Sequence, residues 1–248
     1  MEKIDGRKLT PKELSGLRKI VIKLRNKGMP NKEVAKIVGI SATVCSTYYS
    51  LYKKEGNKVF KIRKEAKKQK ADIWWCDETA CISMPTNLKG YALKGSKNKP
   101  ILNHPAKKFK INMISAITNT GKSMFALYDE SINVDRFLDF LKKVIDSINS
   151  KKVFMILDNL RVHHAKLTKE WVKKHKEKIE LFYLPAYSPD LNPDEYLNQH
   201  YKKNANKNNI PKNKDELKNN TQNYINKIQN DKEKIASFFQ NESVKYAA

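Results

Sequence analysis

The chain has 248 residues, with 50 Lys and Arg against 26 Asp and Glu and a formal net charge of +24. Its 40% hydrophobic content suffices for one substantial packed domain plus a small one, while no stretch approaches the roughly 20 apolar residues of a membrane span. That combination excludes a membrane protein and points to a polyanionic partner, most economically nucleic acid.

Residues 11 to 27 repeat apolar positions at helical spacing, Leu14, Leu17, Ile20, Val21 and Leu24, and stop at Gly28-Met29-Pro30. A short helix over Asn31 to Val38, a turn at Gly39-Ile40 and a second helix capped by Ser41 then predict a helix-turn-helix. Gly39 supplies the left-handed residue of the turn, and Val34, Val38, Ile40, Cys45 and Tyr48 are expected to fill the crevice between the helices. On the second helix, Ala42, Thr43, Ser46 and Thr47 face outward as candidate DNA contacts. None of them can read guanine bidentately, so specificity is expected to be modest, and Lys53 and Lys54 add contacts to the phosphate backbone.

The segment from about 53 to 70 is dense in Lys and reads as a linker passing into a solvated helix. From Asp72 the pattern changes to short β-branched and aromatic runs at 72–77, 111–118, 123–128, 152–158 and 179–184, which predict strands. Helices are expected over Val134 to Ile148, around Leu167, Trp171 and Val172, and through the tail from about Lys212 to Phe239. Strands first, then helix and strand in alternation, define an α/β chain: a mixed sheet with flanking helices, preceded by a small all-α unit. The division expected is a helix-turn-helix domain at 1–56, a basic linker or helix at 57–70 and a catalytic domain at 71–248. Cys45, Cys76 and Cys81 are odd in number and lack metal or disulfide spacing, as in a reducing compartment, and the first residues lack the apolar core of a signal peptide.

Two apolar runs end in acids: Ile73-Trp74-Trp75-Cys76 in Asp77, and Val153-Phe154-Met155-Ile156-Leu157 in Asp158. A buried strand that ends in an unpaired charge is costly, so two such endings suggest a shared divalent cation, and in a basic protein the substrate of such a site is a phosphodiester. Alternation along a strand lets only one of Asp77 and Glu78 face the cation, and Asp77 is the choice. A third acid is expected after Pro193, where Asp194 and Glu195 differ by about 100° in direction, and spacing alone does not choose between them.

The strings Trp75-Cys76-Asp77-Glu78, Leu157-Asp158-Asn159 with His163, and Leu184 through Tyr187-Ser188-Pro189-Asp190-Leu191-Asn192-Pro193-Asp194-Glu195 resemble the DDE transposases of the mariner-like insertion-sequence superfamily, of bacterial type. The resemblance runs from about residue 62 to the end of the chain. It implies a ribonuclease-H-like fold in which Asp77, Asp158 and Glu195 are the catalytic acids and hold two Mg2+ ions, with Mn2+ able to substitute. Asn159 and His163 are expected to support the site, and Lys94 to contact phosphate. The partners implied are double-stranded DNA, as terminal inverted repeats and as target at TA dinucleotides, and a second copy of the chain in a homodimer; a nucleoid-associated cytoplasmic protein is expected.

One departure matters. Relatives carry two helix-turn-helix units ahead of the catalytic domain, and this chain has room for one. The alternative is therefore a non-catalytic DNA-binding remnant or repressor derived from an internally deleted transposase.

Overall fold

A computed structural model describes residue 9 and residues 11–83, 108–148, 152–185, 188–206 and 210–248. Helices α1 (Pro11–Asn26), α2 (Asn31–Val38) and α3 (Ala42–Gln69) come first. Gly39 adopts φ 78° and returns its N–H to the Ala35 carbonyl, closing α2. The Ser41 hydroxyl accepts from Val44 N–H at 3.1 Å and opens α3. Val21, Val34, Ala35, Ile40 and Cys45 are buried together as the small core of this unit, with Val38 and Tyr48 packed against it.

The second half of α3 corrects the expectation of a linker and a solvated helix. Residues 42–69 form one uninterrupted helix whose Tyr52, Val59, Ile62 and Ala66 are buried in the main core. These positions follow helical spacing among lysines, so one stripe is apolar although the average composition is not. No second three-helix unit lies between Ala42 and the sheet among the described residues.

The sheet has five strands, β1 (Asp72–Ile82), β2 (Lys110–Ile117), β3 (Ser123–Tyr128), β4 (Val153–Leu157) and β5 (Ile179–Tyr183), in the order β3-β2-β1-β4-β5. The first three are antiparallel neighbours, and β4 and β5 join in parallel. The remaining helices are α4 (Val134–Ser147), α5 (Arg161–His164), α6 (Lys166–Lys174), α7 (Asp194–Asn204), α8 (Lys214–Gln229) and α9 (Lys232–Ser237). Alternation divides the core in two. Trp75, Met113, Phe154 and Ile156 pack with α3, α7 and α8 on one face, while Trp74, Cys76, Ile114, Met155 and Leu157 pack with Phe137, Phe140, Leu141 and Val144 of α4 on the other. Leu167, expected on the apolar side of its helix, is exposed. No helix among the described residues is long and apolar enough to cross a membrane.

Candidate active site

Asp77 is not at a strand tip. β1 continues to Ile82 against β2, because its second half needs only that antiparallel partner, whereas its parallel pairing with β4 ends at Trp75 and Ile156. Asp77 therefore stands where β4 runs out, two residues beyond the last pair, and Asp158 directly follows β4. Both have the parity of Trp75 and Ile156, whereas Glu78 has that of Trp74 and Cys76, so the adjacent acids of β1 serve opposite faces.

Glu195 lies in the first turn of α7, where backbone N–H groups favour negative charge. Its carboxyl is within hydrogen-bond reach of that of Asp77. Burial, then the charges of Glu195, Asp194 and Glu78, then the bond shared with Glu195 hold Asp77 well above the usual carboxylate range. Asn198, one turn along α7 from Glu195, donates from Nδ2 to Asp77 Oδ2 at 2.8 Å.

Asp194 is fully buried beside them. Its Oδ2 accepts from the Ser115 hydroxyl at 2.7 Å, while Oδ1 has no hydrogen-bond partner. Burial raises its pKa well above normal, with Glu195 and Glu78 adding to the rise and the Ser115 bond opposing it. Asn192 fixes the approach: its Nδ2 donates to the Cys76 carbonyl at 3.0 Å and its Oδ1 accepts from Asp194 N–H at 3.1 Å.

On the other face His163 is fully buried between two acids. Nε2 lies 2.9 Å from Glu78 Oε1, and Nδ1 lies 3.2 Å from Asp158 Oδ1 and 3.1 Å from the Asp158 carbonyl. Burial pulls its pKa down, but the bonds to Asp158 and Glu78 outweigh this and place it at about 10, so the imidazole is a cation and donates from both nitrogens. Asp158 Oδ1 also accepts from Leu160 N–H at 2.9 Å. Glu78 Oε2 is buried without a partner.

The structure thus brings Asp77 to Glu195 and brings Asp158 to His163 and Glu78. The last three offer ligand atoms all within 4.8 Å of one another; Asp77, Asp158 and Glu195 do not form such a group among the described residues. The donor set fits a divalent cation nonetheless. Asp77, Glu78, Asp158, Asp194 and Glu195 all act on the buried Cys76 or on one another, and hard carboxylate oxygens of this kind are the ligands that Mg2+ and Mn2+ take.

Asn159 donates to the Leu184 carbonyl and accepts from His164 Nε2 at 3.0 Å, tying the ends of β4 and β5 together. Cys76 is buried and its thiol is pushed up by burial and by the surrounding acids, which suits a packing residue and not a nucleophile. Ala42, Thr43, Ser46, Thr47, Lys53 and Lys54 are all exposed, with the Thr47 hydroxyl bonded back to the Thr43 carbonyl. Lys94 and Tyr187 lie outside the described residues. Sequence reasoning missed Ser115 and the place of Asn198. The first depends on the register that sets Ser115 opposite Asp77 across β1 and β2, but the spacing of Asn198 from Glu195 on one helix face was a usable signal.

Acids gathered where a mixed sheet meets a helix start define a metal-dependent nuclease class of site. Residues 72–218 match the profile of the DDE superfamily endonucleases, and the chain belongs to that family. Among solved structures it is similar to the Mos1 strand transfer complex at 15% identity, covering 100% of this chain and 82% of that one with a TM-score of 0.55. It is likewise similar to the Mos1 mariner paired end complexes with Mn and with Mg, each at 15% identity, covering 100% of this chain and 81% of that one with TM-scores of 0.56. The fold is therefore ribonuclease-H-like behind an amino-terminal helical region. No curated protein matches the chain.

Proposed function

We propose that the chain is a mariner-like DNA transposase, in which residues 11–56 bind the terminal inverted repeats of an element and the sheet domain cleaves and rejoins DNA. The observation that carries this reading is the gathering of Asp77 and Glu195, with Asp158 at the end of the neighbouring strand, inside a DDE endonuclease fold. Two Mg2+ or Mn2+ ions held by Asp77, Asp158 and Glu195 would polarise the phosphodiester, activate water or a 3′ hydroxyl and neutralise the leaving oxygen. Asn198 orients Asp77, Ser115 fixes one oxygen of Asp194, and the His163 cation steadies Asp158. Double-stranded DNA is the partner that +24 suits, through the exposed Ala42, Thr43, Ser46, Thr47, Lys53 and Lys54, and two ends must meet, which favours a homodimer. The work of such a protein is on the nucleoid.

The test is metal-dependent nicking of a duplex carrying the inverted repeats that flank the gene. The full chain should nick it with Mg2+ and not with a chelator, and Asp158→Ala should reduce the rate about 10³-fold or more. Nicking by Asp158→Ala at the wild-type rate removes the assignment. A second reading, a DNA-binding remnant, is favoured by the single helix-turn-helix; it predicts duplex binding without cleavage by either protein.

A further inference from the structure

Between the end of α1, the middle of α3 and the carboxyl-terminal turn at 245–247 lies an open groove of about 460 Å³. Lys23, Lys27, Lys53 and Lys245 line it, and the only acid on its walls is Glu242. All four lysines are exposed. Among the described residues none of them forms an ion pair. Cations from three separate parts of the chain thus converge around a single acid, an arrangement that favours an anion in the groove.

The groove walls are set in advance. Asn26 accepts from the Tyr49 hydroxyl at 3.3 Å and donates to the Tyr52 hydroxyl at 3.5 Å, joining α1 to α3. The rings are already engaged: Tyr49 stacks on Tyr52 at 6.0 Å and carries Arg25 at 4.7 Å and Lys53 at 5.5 Å, and Tyr52 meets Tyr246 at 5.5 Å in a T-shaped contact. Binding of single strands relies on bases stacking upon free aromatic faces, so this site suits a backbone and not unpaired bases. Lys53 also follows Ser46 along one exposed face of α3, two turns away, which joins the groove to the candidate DNA contacts of that helix.

We infer that the groove seats the phosphodiester backbone of duplex DNA, with Lys23, Lys27 and Lys245 as contacts outside the helix-turn-helix recognition face. The inference rests on the DNA-binding reading above and deepens it. It adds a second zone of grip to the one helix-turn-helix found among the described residues, and it makes the carboxyl-terminal turn part of the DNA-binding surface.

The experiment compares wild type, Lys23→Gln/Lys27→Gln/Lys245→Gln and a charge-matched control, Lys173→Gln/Lys174→Gln/Lys176→Gln, for binding to duplexes with and without the inverted repeat over a range of salt. The groove variant should flatten the slope of log K against log salt by about 2 to 3, roughly 0.9 for each lost phosphate contact, and weaken both duplexes by the same factor. The control should change the slope far less. Equal slopes for the two variants overturn the inference. Nicking of the same duplexes separates the claims: equal slopes with cleavage intact reject the groove alone, and a slope difference without metal-dependent cleavage rejects the nuclease alone.

Discussion

At the level of single residues, His163 ties the end of β4 to β1. It is a buried cation pinned between Glu78 and Asp158, and removing one partner of such a group leaves the other charge uncompensated. His163→Gln should therefore cost about 3 to 5 kcal/mol in urea unfolding. The sign of the pH dependence follows from its raised pKa: the folded protein holds the proton to about pH 10, the unfolded chain to about 6.5, so the stabilisation is complete below 6.5 and is lost as pH rises toward 10. The gap between wild type and variant should shrink across that window; a gap that stays constant from pH 6.5 to 10 would show that the imidazolium contributes nothing. Asp77 and Asp158 carry a local mark, an acid closing an apolar run, whereas after Pro193 the residues alone leave Asp194 and Glu195 open and only the family resemblance points to Glu195. The partners of these acids were not legible in the sequence. Whether Asp158 turns toward His163 or toward Asp77 depends on contacts between elements far apart in the chain.

At the scale of elements, the turn between β2 and β3 shows how narrowly the sheet and its covering helices fit. Gly121 adopts φ 85°, and a Cβ there would lie 2.5 Å from the Lys232 carbonyl oxygen of α9. Gly28, also at φ 85°, has open space where its Cβ would be. Gly121→Ala should lose about 2 kcal/mol or more, from the left-handed backbone and the clash together, and Gly28→Ala about 1 kcal/mol from the backbone alone. Equal losses in urea midpoints would mean that α9 yields freely. Most strands and helices were readable from their periods, but β1 was read too short and the end of α3 as solvated. In both places the deciding partner is remote: β2 extends β1 beyond Asp77, and the sheet core covers Val59, Ile62 and Ala66. A local average over a Lys-rich stretch hides three apolar residues on one face.

Over the whole molecule, the amino-terminal helical region and the acid cluster are fastened together. α3 runs from its exposed amino-terminal half into the core beneath the sheet. α1 rests on the turn that leads to Glu195, with Arg18 3.5 Å from the buried Asp190 and Lys19 at 4.6 Å over the Tyr196 ring. Burial lowers the pKa of Lys19, while Glu195 and Asp190 act against that fall, so its charge is felt at the site. The amino-terminal helices are thus packed against the elements that carry the acids, and the order of elements alone does not disclose that docking. The central claim is that Asp77, Asp158 and Glu195 hold divalent cations together, which requires Asp158 to serve a metal while its Oδ1 remains with His163 and Leu160. Anomalous scattering from crystals of the full chain soaked in Mn2+ tests this directly. Two manganese peaks about 3.5 to 4 Å apart, bounded by the carboxylates of Asp77, Asp158 and Glu195, are the predicted result. A single peak enclosed by Glu78, Asp158 and His163, with Asp77 and Glu195 left sharing their hydrogen bond, would contradict it.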